Sequence, residues 1–165
     1  MLKLYIILVL ILCCSANLLA EQIIPYITVG IRIGWDFKCG RSISPRLSIG
    51  IAEIEKGAFI NLTFGMRTFK KPIIYAEDFS FLDLQVGKAF EKIPVGFLGG
   101  GVGILFCRSN QGSVSIPRNT FFLGCFLFPS VDVTYWDSAT TSYDIGVEAV
   151  LPIPLRKIDF GSPGG

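Results

Sequence analysis

The chain has 165 residues, of which 17% are charged, with fifteen lysines and arginines against thirteen aspartates and glutamates. No basic tract is dense enough for nucleic-acid binding. There is no histidine, which excludes Ser-His-Asp and Cys-His catalysis and argues against a zinc site.

The first element is MLKLYIILVLILCCSANLLA. Lys3 is its one charge, Leu4 to Cys14 are apolar, and small and polar residues run to Ala20. This is the layout of a secretory signal peptide over 1–20, with cleavage after Ala20, or alternatively after Ala16. The apolar core is shorter than the ~20 residues that a membrane helix needs. An uncleaved anchor and a lipoprotein signal at Cys13 or Cys14 are the other readings. Leu12 stands before Cys13, where a lipoprotein signal wants a small residue. About 145 residues follow, enough for one domain, placed at 21–155 with an irregular tail at 156–165.

After the signal the rhythm is period two, the mark of strands with two unlike faces. In 26–38, Ile27, Val29, Ile31, Ile33, Trp35 and Phe37 oppose Thr28, Gly30, Arg32, Gly34, Asp36 and Lys38. Segment 45–54 sets Leu47, Ile49 and Ile51 against Arg46, Ser48 and Gly50. After a tight turn at 55–57, Ala58, Ile60, Leu62, Phe64 and Met66 oppose Asn61, Thr63, Gly65 and Arg67. A medium loop is expected at 70–79. In 81–90, Leu82, Leu84 and Val86 oppose Asp83, Gln85 and Gly87.

Segment 94–107 is apolar on both faces and rich in glycine, which favours a strand over a helix. Residues 108–118, RSNQGSVSIPR, read as the one long polar loop. The long segment 119–136 follows, with Leu123, Cys125, Leu127, Val131 and Val133 against Gly124, Ser130, Asp132 and Thr134. After a turn at 137–141, Tyr143, Ile145, Val147, Ala149 and Leu151 oppose Asp144, Gly146 and Glu148. Seven strands are visible in all.

Alternation alone does not separate a soluble barrel, polar outside, from a membrane barrel, polar inside. The polar faces carry mainly glycine, serine and threonine with one or two charges per strand. That composition suits a narrow lumen better than a watery surface, since glycine weakens strands. With the first strand running upward, Tyr26, Phe59, Phe90, Tyr135, Trp136 and Tyr143 fall at the lower ends. Trp35, Phe37, Phe69, Phe79, Phe81, Phe106 and Phe121 fall at the upper ends. Two aromatic belts around an aliphatic middle are the girdles of a membrane barrel.

By this rhythm, residues 23–155 resemble the small outer-membrane barrels of the opacity-protein and outer-membrane-protein-A-like group. The resemblance implies an all-β, antiparallel up-and-down barrel of about eight strands in the outer membrane of a Gram-negative bacterium. The eighth strand must then lie in 70–79, in 153–160, or in a split of 119–136. Members usually end on an aromatic strand residue, whereas here Phe160 is followed by Gly-Ser-Pro-Gly-Gly.

The expected lumen holds Arg32, Arg46, Arg67, Asp83, Asp132, Asp144 and Glu148, which should pair because isolated buried charge is costly. Arg32 and Glu148 both fall mid-strand where first and last strands meet, so they are expected to pair with each other. A disulfide could join Cys39 and Cys107 at the upper rim, and Cys125 would face lipid.

No catalytic group, cofactor or metal is expected. The acidic pairs Glu53/Glu55 and Glu77/Asp78 sit at turns, and the glycine run 99–103 lacks the Lys-Ser/Thr of a phosphate loop. The partners expected are outer-membrane lipid and a surface partner met by 70–79 and 108–118, with the chain a monomer. The rival reading is a soluble, secreted or periplasmic, lipocalin-like barrel. In it the apolar faces line the interior and Phe97, Phe122, Phe126 and Phe128 form a pocket.

Overall fold

Eight strands succeed one another: β1 (Ile23–Asp36), β2 (Gly40–Glu53), β3 (Ala58–Phe69), β4 (Asp78–Ala89), β5 (Phe97–Ser109), β6 (Gly112–Gly124), β7 (Leu127–Tyr135) and β8 (Thr141–Pro154). This computed structural model describes residues 23–53, 56–71, 78–90, 96–109, 112–124 and 127–155. The expected signal peptide, the tail 156–165 and Cys125 lie outside them.

Each strand pairs antiparallel with the next, and β8 returns to β1, so the sheet is a closed barrel. The seam runs in unbroken register from Tyr26↔Pro154 to Asp36↔Asp144. Closure leaves no open sheet edge. The end carrying Ile23 and Pro154 is taken as the lower one.

The fold class is the expected one, and the eighth strand comes from the split of 119–136. Residues 112–124 form β6 and 127–135 form β7. The long loop expected at 108–118 is therefore corrected. Arg108 and Ser109 end β5, and Gly112 already begins β6, paired with Ser109. β6 registers with β7 from Arg118↔Thr134 to Phe122↔Ser130, so the upper part of the β5–β6 hairpin rises above β7.

One more strand reverses the chain's direction and moves the aromatic belts. Tyr135, Trp136 and Tyr143 stand at the upper end, around the β7–β8 turn, and Phe121 stands near the lower end of β6. Several of the belt residues also point inward. Phe79, Phe81 and Trp136 are buried, whereas Trp35, Phe37, Phe106, Phe121, Tyr135 and Tyr143 are exposed.

Upper turns are fixed by side-chain acceptors. Asp36 Oδ1 accepts from the amides of Lys38 and Cys39, both at 2.8 Å. Gly40 then takes φ +75°, a conformation that costs glycine little.

Period two sorts the residues with apolar outside and polar inside. On β1, Val29, Ile31, Ile33 and Trp35 are exposed, while Thr28, Arg32 and Asp36 are buried. This corrects the lipocalin-like alternative, in which those isoleucines would point inward. The inward glycines have a packing role. Gly65 lies opposite Phe81, Gly87 opposite Phe59, and Gly99 opposite Phe122. A Cβ at any of the three would run into the ring it faces, so the small residue on one strand makes room for an aromatic on the next.

Candidate functional site

The lumen is layered. At the top, Cys39, Phe79, Phe81, Leu105, Cys107, Ile116 and Trp136 form a buried apolar cluster, with Phe69 packed against it. Phe69 and Phe79 meet edge to face at 5.2 Å between centroids, and Phe79 meets Trp136 in the same way at 6.3 Å. The disulfide expected between Cys39 and Cys107 is not formed, and both residues are thiols. Each packs as a small apolar group among the rings.

Below the cluster is a charge layer centred on Asp132 of β7. Arg67 Nη2 of β3 donates to its Oδ2, Arg118 Nη2 of β6 lies 2.8 Å from the same oxygen, and Arg32 Nη1 of β1 is 3.5 Å away. Arg118 Nε also reaches Asp83 Oδ1 of β4 at 3.5 Å. Arg32 bridges to Asp144 of β8 at 2.8 Å, donates Nε to Ser130 Oγ at 2.7 Å and donates Nη2 to the Asp144 carbonyl at 2.7 Å. Arg46 Nη1 of β2 donates to Glu148 Oε2 at 2.7 Å. The layer rests on aromatic surface, because the Arg118 guanidinium lies 4.3 Å and that of Arg46 5.4 Å from the Phe81 ring centroid.

All seven expected lumen charges are buried, and the layer brings them together. The pairing expected between Arg32 and Glu148 is corrected. The two are opposite in register, but Arg32 turns upward to Asp144 and Asp132, and Glu148 pairs with Arg46. Space decides this. The next inward pair on the seam is Gly34↔Gly146, and Arg32 lies across it: a Cβ on Gly146 would sit 2.9 Å from Arg32 Cζ, and one on Gly34 2.7 Å from Nη1.

Two members escaped the sequence reading. Arg118 stood in the expected loop, although it is in phase with Thr120 and Phe122, which also face inward. Asp36 stood on the polar face of the first strand, and it accepts from Ser142 Oγ as well as from the two turn amides.

Beneath the charges a polar ladder crosses three strands. Ser48 and Thr63 hydroxyls lie 2.8 Å apart, and Thr63 donates to Gln85 Oε1 at 3.1 Å. Asn61 is buried and accepts from Tyr26 Oη. Below the ladder the lumen widens into a cavity of about 470 Å³. Phe59, Phe97, Phe122 and Phe128 wall it, Ile24, Gly57 and Pro154 stand at its lower rim, and Thr28, Ser48, Gln85 and Glu148 close its inner end. Three of the four phenylalanines expected in the lipocalin-like pocket thus do meet. Phe126 lies outside the described residues.

Buried ions on seven of the eight strands, all but β5, are compensated by partners on other strands and tie the wall together. Among the described residues no cluster of three or more His, Cys, Asp or Glu could hold a metal ion.

No family model matches the chain, and no curated protein matches it. Among solved structures, a chain from the de novo design of transmembrane β-barrels is similar at 11% identity, over 76% of this chain and 95% of that one, with a TM-score of 0.40.

Proposed function

We propose that this protein is an integral membrane β-barrel of a Gram-negative outer membrane, with a structural or surface-interaction role. The observation that carries the reading is the inside-out distribution of polarity. Ile31, Ile49, Leu62, Leu84, Val102, Leu123, Leu127 and Val147, one from each strand in turn, are 46%, 60%, 51%, 51%, 63%, 47%, 65% and 49% exposed, while Arg32, Arg67 and Arg118 are at most 1% exposed. An apolar band encircling a protein far exceeds the patch of a few hundred Å² that a soluble surface tolerates. In lipid the same band is solvated, and a closed barrel satisfies its backbone hydrogen bonds internally. Strands of 9 to 14 residues suit a tilted crossing, which takes about 9–11.

The signal peptide expected at 1–20 supports export from the cytoplasm. The apolar cluster at the top and the charge layer below it support a lumen plugged by side chains over its upper part, with the expected complete filling corrected by the cavity beneath, and hence no pore; the reading assigns the barrel no cofactor and no catalysis. The β5–β6 hairpin, whose Ser113, Val114 and Ser115 are exposed, is a surface offered to a partner, as are the exposed Lys70 and Lys71 of segment 70–79, whose Phe79 instead turns inward. Residues 72–77 of that segment lie outside the described residues. The barrel acts as a monomer in this reading.

Cell fractionation tests the location. The chain is expected in the outer-membrane fraction, extracted by detergent and not by high salt or alkali, and migrating faster on a gel unboiled than boiled. Recovery in the soluble fraction without detergent would overturn the reading. In planar bilayers the purified barrel is expected to conduct at background.

A further inference from the structure

We infer that the lower half of the lumen is a binding pocket for one small amphiphile, whose apolar chain or ring lies among the phenylalanines and whose inner end carries a neutral hydrogen-bond acceptor. At the ~30 Å³ that a water-sized group occupies, the cavity of about 470 Å³ takes on the order of ten to fifteen non-hydrogen atoms. That volume lies within the range of small-molecule sites.

The wall is preformed. Phe97 and Phe128 pack at 5.0 Å between centroids, Phe59 and Phe97 meet edge to face at 5.7 Å, and Phe122 touches all three. Phe59 and Phe122 each lie opposite a glycine, which fixes ring position. An aromatic wall with a few polar groups at one end is the usual design of a small-molecule site.

The inner end specifies the chemistry. Gln85 and Thr28 line the cavity and are 5% and 8% exposed. Gln85 Oε1 already accepts from Thr63, but among the described residues no partner meets Gln85 Nε2 or Thr28 Oγ1. A buried donor left unmade is costly, so what enters should accept from the Gln85 amide. The charge beside it is already balanced, because Glu148 is held by Arg46 at 2.7 Å. An anionic head would set a second carboxylate against Glu148, and a cationic head would compete with Arg46. An alcohol, aldehyde, ketone or ester oxygen fits.

The test uses the full exported chain in lipid nanodiscs, with isotope labels on the Thr28, Ile24, Ile31 and Leu62 methyls and the Gln85 side-chain amide, and with 1-decanol, n-decane and decanoate as probes. 1-Decanol is expected to shift the Gln85 and Thr28 signals saturably, at least tenfold more tightly than n-decane or decanoate. Gln85→Leu is expected to erase the preference for decanol over decane. Ala52→Trp, which places a ring in the cavity, is expected to abolish the response, with Val150→Phe as a second blocking variant. Faster migration of unboiled protein shows that each variant is folded.

Shifts confined to outer residues such as Ile31 and Leu62 would mean bilayer partitioning and would overturn the pocket. So would a response that survives in both folded blocking variants. Decanoate binding as tightly as decanol would overturn the neutral head. The pocket does not depend on where the barrel resides, because a chain that fractionates as soluble is titrated identically without nanodiscs.

Discussion

At the upper end of the lumen Phe69, Phe79 and Trp136 pack with Leu105, Ile116 and two thiols into a closed cluster. At the lower end Phe59, Phe97, Phe122 and Phe128 stand around a cavity. Ring content is much the same, so what differs is the company. The upper inward positions between the rings hold branched aliphatics and cysteines. The lower ones include Gly57, Ala52 and Ala89, which beside Ile24 and Val150 are too small to fill the bore. Volume, not hydrophobicity, decides which end is plugged and which is open. The charge layer is the floor shared by both.

Removing the hub of that floor should have the largest effect. Asp132→Ala leaves Arg32, Arg67 and Arg118 without their common partner. It is expected to destabilise the barrel by about 3–5 kcal/mol, read by urea unfolding followed on unboiled gels. A cost no greater than that of a lower-end phenylalanine would show that the layer does not separate the two ends.

The sharpest test compares two rings that each lie opposite a glycine. Phe81→Ala in the packed half opens a new void against two guanidinium groups and should cost about 3–4 kcal/mol. Phe122→Ala widens a cavity that already exists and is open at its lower end, so it should cost measurably less than Phe81→Ala. Equal costs would erase the distinction between plug and pocket.

The smallest effect is expected outside both, at the β7–β8 turn. Hydrogen bonds from the Ala139 and Thr140 amides, each at 2.7 Å, hold the Asp137 carboxyl below the usual carboxylate range. A depressed carboxyl supports the turn above its unfolded pKa and loses that support as pH falls through its lowered value. The protection of the Ala139 and Thr140 amides, their exchange rate relative to that of an unstructured chain at the same pH, should therefore fall in acid, and Asp137→Ala should lower it at neutral pH while leaving the barrel folded.

Strands whose two faces differ in kind were legible as sequence: β1, β3, β4 and β8 alternate isoleucine, leucine and valine with charge or glycine. β6 was not. Its inward residues pass from Ile116 through Arg118 and Thr120 to Phe122, because this strand crosses from the plug through the charge layer to the pocket. Both of its faces are chemically mixed, and its first four residues are exposed on either side. That hidden strand also explains the reversed aromatics and the missing Arg118. The partners of Arg32 were not legible for another reason. Register names the residue opposite, but the glycine pair one step along decides where a long side chain lies.

The seam between β1 and β8 carries a consequence for biogenesis. Arg32 finds Ser130 and Asp144 at separations of 98 and 112 residues, and Arg46 finds Glu148 at 102. Among the described residues, every ion pair made by the arginines of the first three strands is with the last two, so a chain without those strands buries its arginines only at high cost. A chain truncated before β7 would lack those partners, so burial of the arginines waits for the final strands. The ion network thus serves as a completeness check on the polypeptide, built into the wall it later holds together.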